Sequence, residues 1–212
     1  MSSTLNLLLY AALFTIAFST AGIGLGTLFA LLLVGLPFSR FRAARMVYDL
    51  YVFVVRGTPI IILGFLVFYG LPRIGLRLGP YTAGILVLAL YASALFAEIL
   101  RGAIASVPVG VTEAAASLGL RPWMVQLKIV GPLALRLAFP AYVSMCVTVI
   151  KASSALSIMG LWELTLASRE IVERTLDVFT VMGYAAAIYF VICFSLDRAA
   201  RALMLDRSQT VR

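Results

Sequence analysis

EAAASLGLRPWMVQLKIVGP, residues 113–132, places Glu113, Arg121 and Lys128 in the middle of a chain that is otherwise oily. Of its 212 residues, 63% are hydrophobic and 12% charged, and the mean hydropathy is +1.06. Soluble domains run at roughly 45–50% apolar and about 25% charged. The chain is therefore an integral membrane protein, and a segment so suited to water has to lie outside the bilayer. Locally, Thr112 is placed to cap a short helix, Glu113–Leu118, with the Glu113 carboxylate near the positive end of the helix dipole. Gly119 stops that helix and Pro122 opens a second one in its first turn. The second arm carries Trp123, Leu127, Val130 and Leu133 at helical spacing, ends at a Gly131-Pro132 break and feeds the next apolar run. A compact knob joined in this way to a membrane helix transmits a push from a cytosolic partner.

Outward from the knob, apolar runs mark the membrane spans. A bilayer core of about 30 Å needs about 20 residues of helix. The runs are 12–36, stopped by Pro37 and the cluster Arg40, Arg42, Arg45; 50–71, containing Arg56; 81–100; 137–161; and 178–196. The charges, glycines and prolines of 101–136 are too costly for lipid. The expected fold is all-α: one transmembrane domain over 1–212, with five transmembrane helices and a cytosolic segment 101–136 between the third and fourth. The apolar residues ahead of 12 are expected to form an interfacial or loosely held N-terminus. With no basic region before it and a length beyond a signal-peptide core, the first run reads as a retained helix.

Basic residues accumulate on the cytoplasmic side. Arg40, Arg42, Arg45, Arg101, Arg121, Lys128, Arg136, Arg198, Arg201, Arg207 and Arg212 fall on one side, eleven in all, against Arg73, Arg77, Arg169 and Arg174 on the other. The N-terminus is thus expected outside, the C-terminus inside and the knob in the cytosol. Topology and contact with anionic lipid account for the net charge of +8 without a nucleic-acid partner.

The chain has no histidine, so Ser-His and Cys-His nucleophile pairs and His-ligated metal sites are excluded. Cys146 and Cys193 lie in apolar runs with no CxxC spacing and read as small hydrophobes. No GxxxxGK[ST] string is present. Any ATP the protein uses is bound by another chain.

At the knob the sequence resembles the permease subunits of bacterial ABC importers. Their cytosolic signature runs EAA, three residues, Gly, nine residues, Ile, one residue, Leu-Pro. Glu113, Ala114, Ala115, Gly119, Ile129 and Pro132 match at these spacings, and Gly131 replaces the leucine. The similarity is greatest to the branch importing polar amino acids such as histidine, glutamine and arginine, with relatives for opines and ectoines. It is carried also by Arg56-Gly57-Thr58-Pro59, by Tyr69-Gly70-Leu71-Pro72, by AEILRGAIASVPVG from Ala97 and by IKASSALSIMGLWELT from Ile150. Val111 stands where glutamine is common, and Ala152 where aspartate or asparagine is common. The resemblance implies a subunit of the bacterial cytoplasmic (inner) membrane with no cofactor of its own. By the same resemblance, the matched positions are expected to form a coupling helix that docks on an ATPase subunit, present in two copies and carrying ATP and Mg. A second permease, identical or similar, completes the pathway, and an extracytoplasmic substrate-binding protein delivers the cargo.

Arg56 and Lys151 are the basic residues inside the expected spans, and such charges mark substrate or ion paths. Arg56 either snorkels to the cytosolic interface or is aimed inward by a kink at Gly57-Thr58-Pro59, which makes Thr58 a companion candidate. Lys151 shares a helix side with Thr148 and Ser154 and is expected to line the translocation route or its outer gate. Ser153 and Ser157 form a second pair, suited to helix packing. With Lys151 as base they also define a rival reading, an intramembrane hydrolase; an ATP-independent channel is another. Glu98 and Arg101 read as an i,i+3 ion pair. Glu163, Arg169, Glu170, Glu173, Arg174 and Asp177 read as a mixed-charge outer surface. There the resemblance makes Glu170 and Glu173 candidates for contact with the binding protein.

Overall fold

The computed structural model describes residues 2–209, with side chains described over residues 4–202. The side chain of Arg207 and the whole of Arg212, both counted above for orientation, lie outside the described residues. Every regular element is helical: α1 Ser2–Leu33, α2 Arg42–Gly57, α3 Ile60–Phe65, α4 Pro80–Ala105, α5 Val109–Ser117, α6 Pro122–Val125, α7 Gly131–Ala152, α8 Leu164–Thr175 and α9 Val178–Gln209. Four stretches among the described residues are long and apolar enough to cross a membrane: Thr4–Phe38, Pro80–Ala105, Pro122–Met159 and Val178–Ala202. A fifth crossing requires α2 and the segment Ile60–Ile74 taken together, and these are bent by 107°.

That bend falls at the Gly57-Thr58-Pro59 kink weighed from the sequence, and it divides the stretch expected as the second span, 50–71, between two helices. Thr58 precedes proline, a position whose crowding with the proline ring favours extended backbone, and it adopts φ −97°, ψ 128°. Pro59, extended as well, then caps α3. The helix cannot continue through the pair, so α2 and α3 leave it in different directions.

The first helix differs too. Residues ahead of 12 continue the same α-helix, and Leu8 and Ala11 are fully buried. Leu8 and Ala12 pack with Leu164 and Ile171 of α8 and with Val181 and Ala185 of α9. The N-terminal turns are held by protein rather than by the lipid interface.

The core lies around α4, which packs against α1 on one side and α7 on another. Val87, Leu88, Ala92, Phe96 and Ala97 of α4 meet Val149 of α7 and Leu156 and Leu161 beyond it. The α1 contact is close because Gly22 and Gly26 sit four residues apart on the buried face: a Cβ on Gly22 would lie 2.5 Å from Leu88 Cβ, and one on Gly26 2.6 Å from Ala92 Cβ. Small residues in this pattern let membrane helices approach at backbone distance.

Two wide, π-helical turns interrupt the regular helices, at Leu66–Gly70 and Gln126–Val130. Each ends two residues before a proline, Pro72 and Pro132. Proline lacks an N–H and its ring crowds the carbonyl four residues back; one extra residue in the turn relieves both. At the second site the Gly131 N–H reaches the Gln126 carbonyl, five residues back. The expected break at Gly131-Pro132 is therefore absent, and Pro122–Met159 forms one continuous helical stretch that contains a membrane-crossing length.

Candidate functional site

The knob is built from α5, the turn after it, and α6. Helix α5 begins at Val109 after Pro108, one turn before the start expected at Thr112. The Thr112 hydroxyl donates back to the Val109 carbonyl (2.7 Å) instead of capping, and Glu113 sits in the second turn, exposed. Proline ahead of Val109 already fixes the entry of the chain. Gly119 has φ +74°, the left-handed conformation that favours glycine, and donates to the Ala116 carbonyl (2.9 Å). Pro122 opens α6 in its first turn as expected.

The six matched positions divide by environment. Ala115 is buried in an apolar cluster with Ala103 and Val107 at the end of α4 and with Val125, Val130 and Ala134 of the next arm; Ile129 packs against it. Gly119 makes the turn, and Pro132 sits just past the π turn. Glu113 and Ala114 face outward. So do Val109, Trp123, Leu118 (81% exposed) and Leu127 (71%). Apolar side chains this exposed on a polar segment form a contact surface, and the cluster beneath anchors it to α4 and α7 at once.

The proposed pathway residues are not brought together. Arg56, at the end of α2, lines a cavity of about 1130 Å³ with Tyr48, Asp49, Glu98 and Arg101. There Arg101 pairs with Glu98 as expected, and the Tyr48 hydroxyl donates to the other Glu98 oxygen (3.4 Å). Thr58 spends its hydroxyl on the Val54 carbonyl (2.7 Å). Lys151, exposed, lines a separate cavity of about 490 Å³ between α7 and α9, with Tyr189, Cys193 and Asp197. Ser154 donates to the Lys151 carbonyl (2.7 Å). Ser153 and Ser157 are buried, and Ser153 donates to the Ile150 carbonyl (2.8 Å), so neither forms a nucleophile–base pair with Lys151. The hydrolase reading has no geometry behind it.

Glu163 corrects the outer-surface reading. It is 1% exposed and caps α8: its Oε1 accepts from the N–H groups of Thr165 (2.7 Å) and Leu166 (3.1 Å). Its Oε2 accepts from the hydroxyls of Thr15 in α1 (3.2 Å) and Tyr189 in α9 (2.8 Å). The Thr15 oxygen in turn accepts from the Leu164 N–H (3.1 Å). One carboxylate thus ties three helices, with every contact a hydrogen bond and none a cation. The signal in sequence was slight: an acidic residue directly before an amphipathic helix and among Leu161, Trp162 and Leu164. Glu170 is half-buried and accepts from the Trp162 indole N–H (3.2 Å), whose ring packs on Phe14 and Tyr10 of α1. Glu173 is exposed on the same helix.

Comparison with known proteins identifies this arrangement. A probable amino-acid ABC transporter permease protein of Bacillus subtilis (strain 168), YckA, is 33% identical over 180 residues, covering 85% of this chain and 80% of that one. The L-cystine transport system permease protein TcyB of the same organism is 32% identical, covering 92% and 84%. The crystal structure of an amino acid ABC transporter with histidines superposes with a TM-score of 0.89 at 28% identity, covering 95% of this chain and 94% of that one. The all-helical chain, with four to five candidate membrane helices among its described residues, thus has the ABC permease fold. Permeases of this kind carry no ATPase site, and hydrolysis falls to a partner protein. Residues 7–208 match the model for the inner membrane component of binding-protein-dependent transport systems, and the chain belongs to that family.

Proposed function

We propose that this permease forms one half of the translocation path of an importer for polar amino acids or related small zwitterions, in the bacterial cytoplasmic membrane. Its N-terminus lies outside and its C-terminus inside. Two copies of an ATPase dock on the α5–α6 knobs of two permeases, identical or similar, and a binding protein delivers cargo at the outer face near Glu170 and Glu173. ATP and Mg are held by the ATPase. Closure of the ATPases moves the knobs, the attached α4 and α7 open the path outward, and hydrolysis resets it. Lys151 lines the route or its gate; Arg56, Thr58 and Ser154 stand on its flanks.

The observation that carries this reading is the knob itself: an exposed apolar rim of Val109, Leu118, Trp123 and Leu127 around Glu113, on a base packed into two membrane helices. The relatives named for amino acids and for L-cystine support the cargo class. The test is purification of the tagged chain in mild detergent, as wild type and as Glu113→Lys/Gly119→Trp. An ATPase subunit that accompanies wild type and is lost from the variant is the expected result, and any second permease in the eluate defines the dimer. An eluate with no ATPase, unchanged by the substitutions, overturns the assignment. Orientation is read separately, by labelling Leu118→Cys from either side of sealed vesicles.

A further inference from the structure

The bend at Thr58-Pro59 gives α2 a role that a straight span would not have. The two arms of this broken span stand at 107° to one another, so when Ile60–Ile74 is the arm that enters the bilayer, α2 runs close to the membrane plane. At about 100° of rotation per residue, its side chains sort into sectors. Tyr48, Val52 and Val55 form the buried face against the protein. Arg42, Arg45, Asp49 and Arg56 fall together in a sector about 60° wide, roughly a quarter turn away. Met46 (63% exposed), Leu50 (64%) and Phe53 (78%) follow beyond that. Val47 and Val54, opposite the charges, are exposed as well. A charged strip above, apolar side chains below and outward, and one seam on protein is the pattern of a helix lying in a membrane interface.

We propose that α2 and the linker before it form a binding site for an anionic phospholipid of the cytoplasmic leaflet. Arg40, Arg42 and Arg45 hold the headgroup phosphate, and an acyl chain lies along Met46, Leu50 and Phe53 in the 1130 Å³ cavity that Glu98 and Arg101 of α4 close on the far side. The Arg40 guanidinium sits 5.0 Å from the Phe41 ring centroid, which holds the first of these cations against an aromatic face at the headgroup level. Charge complementarity selects the occupant. Four arginines stand against Asp49 on and before this helix, whereas Glu98 is already paired with Arg101. A second copy of this chain docked face to face would bring the same arginine strip against itself. The site rests on the cytosolic placement of residues 40–45, which the Leu118→Cys labelling tests independently.

The test is the full chain carrying Phe53→Trp, assembled with its ATPase in nanodiscs that contain brominated phosphatidylglycerol or brominated phosphatidylcholine. The emission added over wild type is expected to be quenched more strongly by the phosphatidylglycerol. Arg40→Gln/Arg42→Gln/Arg45→Gln is expected to abolish that preference, each arginine being worth about fivefold in association with an anionic surface. Equal quenching by both lipids with the arginines intact overturns the proposal. So does quenching by neither, which means that protein covers the stripe. Should Phe53→Trp fail to fold, native mass spectra of the wild-type chain decide: phosphatidylglycerol retained over phosphatidylcholine and lost in the triple variant supports the site, and equal retention overturns it.

Discussion

Gly26→Ala adds one methyl group where α1 lies directly against the α4 backbone. The new Cβ would meet Ala92 Cβ at 2.6 Å, the Ala89 carbonyl oxygen at 2.9 Å and the Ser93 nitrogen at 3.1 Å. All three are fixed by the α4 backbone, so no rotamer change relieves them. Carbon atoms sit comfortably at about 3.5–4.0 Å, so α1 has to retreat from α4 by about 1 Å along their whole contact. Overpacking of this kind costs about 1–3 kcal/mol. Helix propensity acts the other way, alanine being favoured over glycine by about 1 kcal/mol. Gly24→Ala isolates that gain, because a Cβ there has nothing within 4 Å. The two variants share their chemistry and helix, so propensity cancels in the comparison. Gly26→Ala is expected to be about 1–3 kcal/mol less stable than Gly24→Ala, or to melt roughly 2–12 °C lower at about 2–4 °C per kcal/mol for a chain of this size. Size-exclusion chromatography of heated, detergent-solubilised samples reads the difference. Variants that melt within a degree of one another would refute backbone-distance packing of α1 on α4.

Glu163→Ala leaves two α8 N–H groups and the hydroxyls of Thr15 and Tyr189 without their acceptor, and a loss of about 3 kcal/mol or more is expected, read by the same melting assay. Glu163→Gln keeps a carbonyl acceptor for the cap and is expected to recover most of that stability; equal losses in the two would show that the cap is idle. Pro132→Ala restores an N–H and lets the π turn at Gln126–Val130 close to an α turn, which rotates the knob against α7 by about 100°. The expected result is more ATP hydrolysed per solute imported in proteoliposomes, and an unchanged ratio refutes a role for the wide turn in coupling. Lys151→Ala is expected to abolish uptake while the ATPase still co-purifies. Full uptake removes Lys151 from the pathway.

The parts of this fold legible in sequence are those that a single helix determines alone. Apolar runs near Leu90, Val149 and Ala187 announce spans because bilayer thickness sets their length, and Gly119 announces a turn because its backbone conformation belongs to glycine. Two further local signals were present and went unused: Gly22 and Gly26 at the spacing of a close helix contact, and the arginines at 42, 45 and 56 on one strip of a helix that carries Met46, Leu50 and Phe53 on the next. Counting hydrophobicity over 50–71 averaged across the Thr58-Pro59 bend and hid the second of these. Glu163 is different in kind. Its partners are 148 residues away in α1 and 26 away in α9, so no window of sequence holds the network that neutralises its cost of burial. Read along the chain, it was one acid among six charged groups; placed in the fold, it is the point at which α1, α8 and α9 are fastened. The same division runs through the knob, where Glu113 and Ala115 are adjacent in one motif but serve opposite sides, one facing a partner and the other fixing the base from which that partner's motion reaches α4 and α7.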